Sequence, residues 1–166
     1  REISFTVDKA INIQKDYLQG LEMAHSNSII HRDINPDNIL LSYDNTELKG
    51  LLSDFGLAQK VTNLEKISNA AGRYLYFAPE CFSDIYLPTS DVFSAGIVFY
   101  RMLTGKSPWE LEITNFNDFS EVTKSIIISR RKKPLAPSFF NNEISKDIDK
   151  VVLTSLELTI EHRYKS

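Results

Sequence analysis

The sequence predicts a mainly α-helical domain with one small β-hairpin set among the helices. Three observations carry this. Apolar residues recur at steps of three or four in several windows, the period of a helix with one buried face. One window, Ser90 to Leu103, is apolar on nearly every side, as expected of a helix running through the middle of a core. Between these helices, residues 39–52 read as two short strands about a polar turn.

In chain order, the first helix is expected from about Asp8 to Asn27. Ala10, Ile13, Tyr17, Leu21 and Ala24 form its apolar stripe, and Asp8 is a plausible N-cap. Ile39-Leu40-Leu41 and Leu48–Leu52 are the expected strands, around Asp44-Asn45-Thr46. The Ser90–Leu103 helix carries Val92, Phe93, Ala95, Ile97, Val98, Phe99, Met102 and Leu103. Asp118 with Glu121 suggests a capping-box-like start to a third helix bearing Phe119, Val122 and Ile126. A fourth follows Ser145, with Ile148, Val151, Val152 and Leu156 on one face.

A chain of 166 residues is long enough for one domain with its own core. Its 42% hydrophobic and 25% charged residues argue against disorder. A net charge of -3 gives no electrostatic case for nucleic acid or an anionic membrane as the main partner. The single cysteine, Cys81, excludes an intramolecular disulfide. It fits a reducing compartment, so a cytoplasmic location is favoured. No apolar run reaches the length of a membrane span. The opening, Arg1-Glu2-Ile3-Ser4, lacks a methionine and reads as a cut edge, which leaves the localisation of the parent protein open.

Four strings stand out. Ile29-Ile30 leads into His31-Arg32-Asp33-Ile34-Asn35-Pro36-Asp37-Asn38-Ile39-Leu40. Ser53-Asp54-Phe55-Gly56-Leu57 follows the second strand, and Gly72 to Phe77 leads into Ala78-Pro79-Glu80. Ser90-Asp91-Val92-Phe93-Ser94-Ala95-Gly96 opens the apolar helix. Asp33 and Asn38 lie close together on a Pro-containing loop and can face one cavity. A strand, a turn and a strand separate Asn38 from Asp54, an arrangement that brings the two together. Two oxygen donors on one side of a phosphate suit magnesium, which needs few protein ligands.

These strings resemble the catalytic loop H-R-D-L-K-P-x-N-I-L, the D-F-G and A-P-E motifs and the D-V-W-S-x-G helix of protein kinases. The resemblance runs essentially from end to end, residues 1–166, and covers the C-terminal lobe. It implies a helical lobe around a buried central helix, with the hairpin carrying the catalytic and metal-binding loops. It implies ATP and magnesium as cofactors, a protein substrate, and transfer of the γ-phosphoryl group to a hydroxyl. Asp33 would accept or orient the hydroxyl proton, and Asn38 would complete the catalytic loop and bind magnesium. Asp54 would hold the metal that bridges the nucleotide phosphates, and Leu40 would form the floor under the adenine. Phe55 would pack against His31 in the core, and Arg32 would pair with a phosphorylated residue. Thr62 and Ser68 are candidates for that modification, with unmodified loop residues as the alternative. Glu80 and Arg163 would form a buried ion pair, and Asp91 would hold the backbone of the catalytic loop. A simple N-cap role for Asp91 is compatible with that. Pro36, and the lack of an A-A-R or R-A-A string, favour serine/threonine specificity.

Two positions depart from the family pattern. Asn35 stands where serine/threonine kinases carry a lysine, and Arg73 where they carry a threonine. Arg73 either restores the missing positive charge from across the cleft or is a surface residue beside a weakened site. The 166 residues hold no G-x-G-x-x-G string, no V-A-I-K-like lysine and no hinge. The isolated piece is therefore expected to be inactive. The alternative reading is a pseudokinase or kinase-fragment scaffold that binds protein partners without catalysis. The Arg130-Arg131-Lys132-Lys133 run is expected to be a solvated helix end or loop, with acidic substrate segments as its alternative ligand. Oligomeric state is not readable from the sequence.

Overall fold

In the computed structural model, which describes residues 5–55 and 71–165, the first helix, α1, spans Val7–Ser26. Its cap is Thr6, whose hydroxyl accepts from the Lys9 amide at 3.4 Å. Asp8 is not the cap, because it already lies inside the first turn, where its charge favours the helix dipole. The expected stripe of Ala10, Ile13, Tyr17, Leu21 and Ala24 is buried throughout. Tyr17 donates its hydroxyl to Gln14 at 2.6 Å, and Gln14 donates to the Ala95 carbonyl at 3.4 Å. Two polar groups buried in the core thereby satisfy each other and tie α1 to a later helix.

Strand β1 (Ile39–Asp44) pairs antiparallel with β2 (Glu47–Leu52) in the register Ile39↔Leu52 and Leu41↔Gly50. The strands run longer than expected, and the loop shrinks to Asn45-Thr46. Asn45 takes φ +56°, a left-handed conformation that asparagine tolerates. The hairpin lies on α1 so closely that a Cβ on Gly50 would meet the Ile13 carbonyl oxygen at 2.7 Å and Ile13 Cγ2 at 2.9 Å. Gly50→Ala is therefore expected to destabilise the protein by about 1–3 kcal/mol, read as a lowered melting temperature.

A one-turn helix, α2 (Ala71–Tyr74), precedes the Ala78-Pro79-Glu80 string. The apolar helix, α3, spans Pro88–Thr104 and runs through the core as predicted. It starts two residues earlier because Pro88 sits at its first position, where a missing N–H costs nothing. The Leu87 amide before it donates to the Ser90 hydroxyl at 3.1 Å. The helix ends at Gly105, with φ +67°.

α4 (Phe119–Ser129) and α5 (Lys146–Ser155) complete the helices of the described residues. Asp118 caps α4 by accepting from the Ser120 and Glu121 amides at 2.9 and 3.1 Å. The capping box is not reciprocal. Glu121 instead accepts from the Thr114 amide and hydroxyl at 2.6 and 2.8 Å, fastening the preceding loop. Val122 and Ile126 are buried, whereas Phe119 is exposed with its ring against Tyr74. On α5, Val152 and Leu156 face the core, but Val151 is exposed. The apolar face of α5 is thus narrower than the sequence suggests.

Phe93 is fully buried on α3. The Arg163 guanidinium lies 4.8 Å from its ring centroid and that of Arg130 lies 5.0 Å away, while Trp109 stacks on it at 6.0 Å. Arg130 donates to the carbonyls of Phe77 and Leu75 at 2.6 and 3.0 Å. The basic run is therefore not wholly a solvated end. Its first member is buried, and burial pushes its pKa down to about 9, which still leaves it cationic at neutral pH.

Candidate active site

The site begins with Asp91, near the N-terminus of α3, whose free amides and dipole favour an anion. One carboxylate oxygen accepts from the His31 amide and the other from the Arg32 amide, each at 2.8 Å. His25 Nε2 donates to the same carboxylate at 2.8 Å. Three contacts to a buried carboxylate hold the backbone of the loop that follows α1. Arg32 is held there at φ +69°, a conformation that persists only when its surroundings enforce it.

His31 joins this loop to the end of β2. Its Nε2 lies 2.9 Å from the Ser53 carbonyl, so that nitrogen carries the hydrogen, and Nδ1 accepts from the Asp33 amide at 3.3 Å. Ser53 adds two bonds to the Asn38 carbonyl, from its amide at 2.9 Å and its hydroxyl at 3.1 Å. The 31–38 loop and the 53–55 segment therefore form one hydrogen-bonded unit. His25 did not stand out in the sequence, because its partner Asp91 lies 66 residues away, and the bonds of Ser53 to the Asn38 carbonyl are ones that no motif spacing reports.

Asp33 and Asn38 come together as expected. The Asn38 amide donates to the Asp33 carboxylate at 2.6 Å and to the Asp33 carbonyl at 2.8 Å, and both residues are buried. Asn35 is buried as well. It donates to the Asp33 carbonyl at 3.0 Å and accepts from the Asp37 amide at 2.9 Å. Arg73 reaches across from α2 and donates from Nη2 to the same Asp33 oxygen that Asn38 holds. Of the two readings of Arg73, the structure favours the one that places its charge at Asp33.

Asp54 follows Ser53 directly, at φ +60°, and is exposed. Phe55 lies against His31, with ring centroids 4.8 Å apart. It is 39% exposed, so it covers the histidine rather than entering the core. Leu40 is 54% exposed on the hairpin, opposite Leu51, which is also exposed. The Arg32 guanidinium sits 5.4 Å from the Tyr86 ring centroid. Gly56, Leu57, Thr62 and Ser68 lie outside the described residues.

The donor set suits magnesium. Both bonds from the Asn38 side chain use its amide nitrogen, which leaves the amide oxygen for a cation. Asp54 adds a carboxylate on the unit that Ser53 fastens to Asn38. Among the described residues no group of three His, Cys, Asp or Glu side chains gathers as a metal cage. Magnesium does not require one, since it keeps waters and takes one or two protein oxygens alongside phosphates.

Further along, Glu80 and Arg163 form the expected pair, bidentate at 2.6 and 2.9 Å. Ser90 donates to Glu80 at 2.7 Å, and Arg163 also donates to the carbonyls of Glu157 and Leu158. Burial pushes the Glu80 carboxyl up, but bonds from Arg163 and Ser90 outweigh this and hold it below its usual value. Cys81 beside it is buried, and burial pushes its thiol up to about 11, leaving an inert thiol.

A carboxylate wired to an amide, a second carboxylate beyond a strand pair, and a buried Glu–Arg pair match one family along the whole chain. The protein kinase domain family matches residues 1–165, and the chain belongs to that family. It is similar to the serine/threonine-protein kinase PknB of Mycobacterium leprae, 34% identical over 95% of this chain and 24% of that protein. It is also similar to PknB of Mycobacterium tuberculosis, 32% identical over 97% of this chain and 25% of that protein. PEPKR2 of Arabidopsis thaliana, another serine/threonine-protein kinase, is 38% identical over 64% of this chain and 22% of that protein. The chain thus spans about a quarter of the length of these curated relatives. Among the described residues no helix is long and apolar enough to cross a membrane.

Proposed function

We propose that this chain is the C-terminal lobe of a serine/threonine protein kinase that transfers the γ-phosphoryl group of ATP to protein hydroxyls. The observation that carries this is the buried Asp33 carboxylate. One of its oxygens is fixed by Asn38 and Arg73, which leaves the other to face an acceptor hydroxyl. Placement of that hydroxyl against the terminal phosphorus supplies most of the rate in such reactions. Asn38 and Asp54 are the residues that would hold magnesium, which neutralises phosphate charge when bound. Leu40, exposed and apolar, offers a surface for the adenine ring. Asp91 and His31 act on the site by fixing the loop. Ser/Thr specificity rests on Pro36 and on the kinases that the chain resembles.

The test uses the full-length parent protein with ATP, magnesium and a protein acceptor. The wild type is expected to incorporate phosphate on serine or threonine. Asp33→Asn is expected to lower turnover by about 10²-fold or more without changing the melting temperature appreciably. A folded wild type that transfers no phosphate would leave the scaffold reading in its place.

A further inference from the structure

Phosphoryl transfer at this site gathers negative charge. Asp33, Asp54 and the oxygens of the transferred group must share one small volume, and like charges there oppose the reaction. A cation from the protein is needed beside the reacting atoms. The catalytic loop does not supply one near Asp33. Asn35 is neutral and buried, and both ends of its amide are committed to the Asp33 carbonyl and the Asp37 amide. Arg32, the charged residue next to Asp33, lies over Tyr86. Among the described residues, the cation that pairs with Asp33 is Arg73.

We propose that Arg73 is a catalytic cation of this site, binding the phosphoryl group in transit while it holds Asp33. This inference rests on the reading of the preceding section. The guanidinium is a planar fork with five donors. Nη2 is engaged by Asp33, and the side chain remains 27% exposed, so further N–H groups are open to an incoming anion. A fork can place one donor on a carboxylate and a neighbouring donor on a phosphoryl oxygen, which a single-point cation cannot do with the same rigidity. Its support is also built. The Tyr76 amide donates to the Arg73 carbonyl at 3.0 Å, Tyr74 packs on Phe77 and Phe119, and Arg130 grips the carbonyls of Leu75 and Phe77.

In the step itself the acceptor oxygen bonds to the γ-phosphorus while the bond to the β–γ bridging oxygen breaks. ADP leaves with that electron pair, and the hydroxyl proton passes to the free oxygen of Asp33. The contribution of the Arg73 guanidinium is largest where charge is spread over the equatorial oxygens.

The experiment compares Arg73→Ala, Arg73→Lys and the double variant Arg73→Ala with Asn35→Lys in the full-length protein. Turnover of Arg73→Ala is expected to fall by about 10²–10³-fold, with KM for ATP little changed and Arg73→Lys intermediate. The lysine at position 35 is expected to recover at least about tenfold, because it returns a cation from the opposite side of the cleft. Added guanidinium ion is expected to do the same for Arg73→Ala, which covers a double variant that fails to fold. A second readout needs no turnover. Arg73→Ala is expected to weaken binding of ADP with fluoroaluminate, a mimic of the group in transit, by about tenfold or more, while binding of ADP alone is kept. A wild type that is active and unaffected by Arg73→Ala overturns the inference alone. So does a loss that neither Asn35→Lys nor guanidinium repairs in a folded variant, since that marks a purely structural role. A wild type that transfers no phosphate overturns both this inference and the reading beneath it.

Discussion

Glu80→Ala is expected to destabilise the protein by about 3–5 kcal/mol. The reason is the partner left behind. The Arg163 side chain is 0% exposed. Without the carboxylate it keeps, among the described residues, only carbonyl acceptors and the face of Phe93. Arg130, a second buried cation, lies on that same ring, so the bared Arg163 charge also faces a like charge. Thermal denaturation of the intact protein reads the effect, and Glu80→Gln is expected to recover part of it through its hydrogen bonds. The same pair gives the pH dependence. The Glu80 carboxyl is held below its usual value of 4.5, so the folded state favours its ionised form. The stability it adds is present above that pH and is lost as pH falls through the lower, folded-state value. An acid-unfolding profile of Glu80→Gln is expected to lack this component.

Asp91→Ala is expected to be of similar size, about 2–6 kcal/mol, at about 1–3 kcal/mol for each of the two backbone amides left without a partner. The His31 and Arg32 amides both donate to this one carboxylate, and His25 Nε2 donates to it as well. Hydrogen exchange localises the effect. The amides of residues 31–33 are expected to lose protection before those of α1, and the chemistry of Asp33 is expected to fail with them. Uniform loss of protection along α1 and the loop would show instead that Asp91 supports the fold without singling out the loop.

Much of this architecture is visible in the residues themselves. The stripe on α1, the all-round apolarity of α3 and the hairpin about Asn45 each follow from one local period or one turn signal. Asp33 meets Asn38 because a short Pro-containing loop allows little else. Other features depend on partners far away in the chain. Thr6 and Asp8 are both good capping residues, and the backbone turn that separates them is a tertiary outcome. The four basic residues from Arg130 look alike in sequence, yet the carbonyls of Leu75 and Phe77 select the first of them for burial. Arg73 meets Asp33 across 40 residues of chain, a contact that no local pattern reports. Helical spacing puts Val151 on the core face, but spacing does not report how wide a face the neighbours cover.

Phe93 carries one more consequence. Its ring meets two guanidinium groups and the flat of an indole, so the electron-rich π-face matters there as much as the space filled. A leucine would occupy comparable room and offer neither cation anything to lean on. The tryptophan that related kinases carry in the same string keeps that quadrupole. Aromaticity, more than bulk, is what this spot in the helix demands.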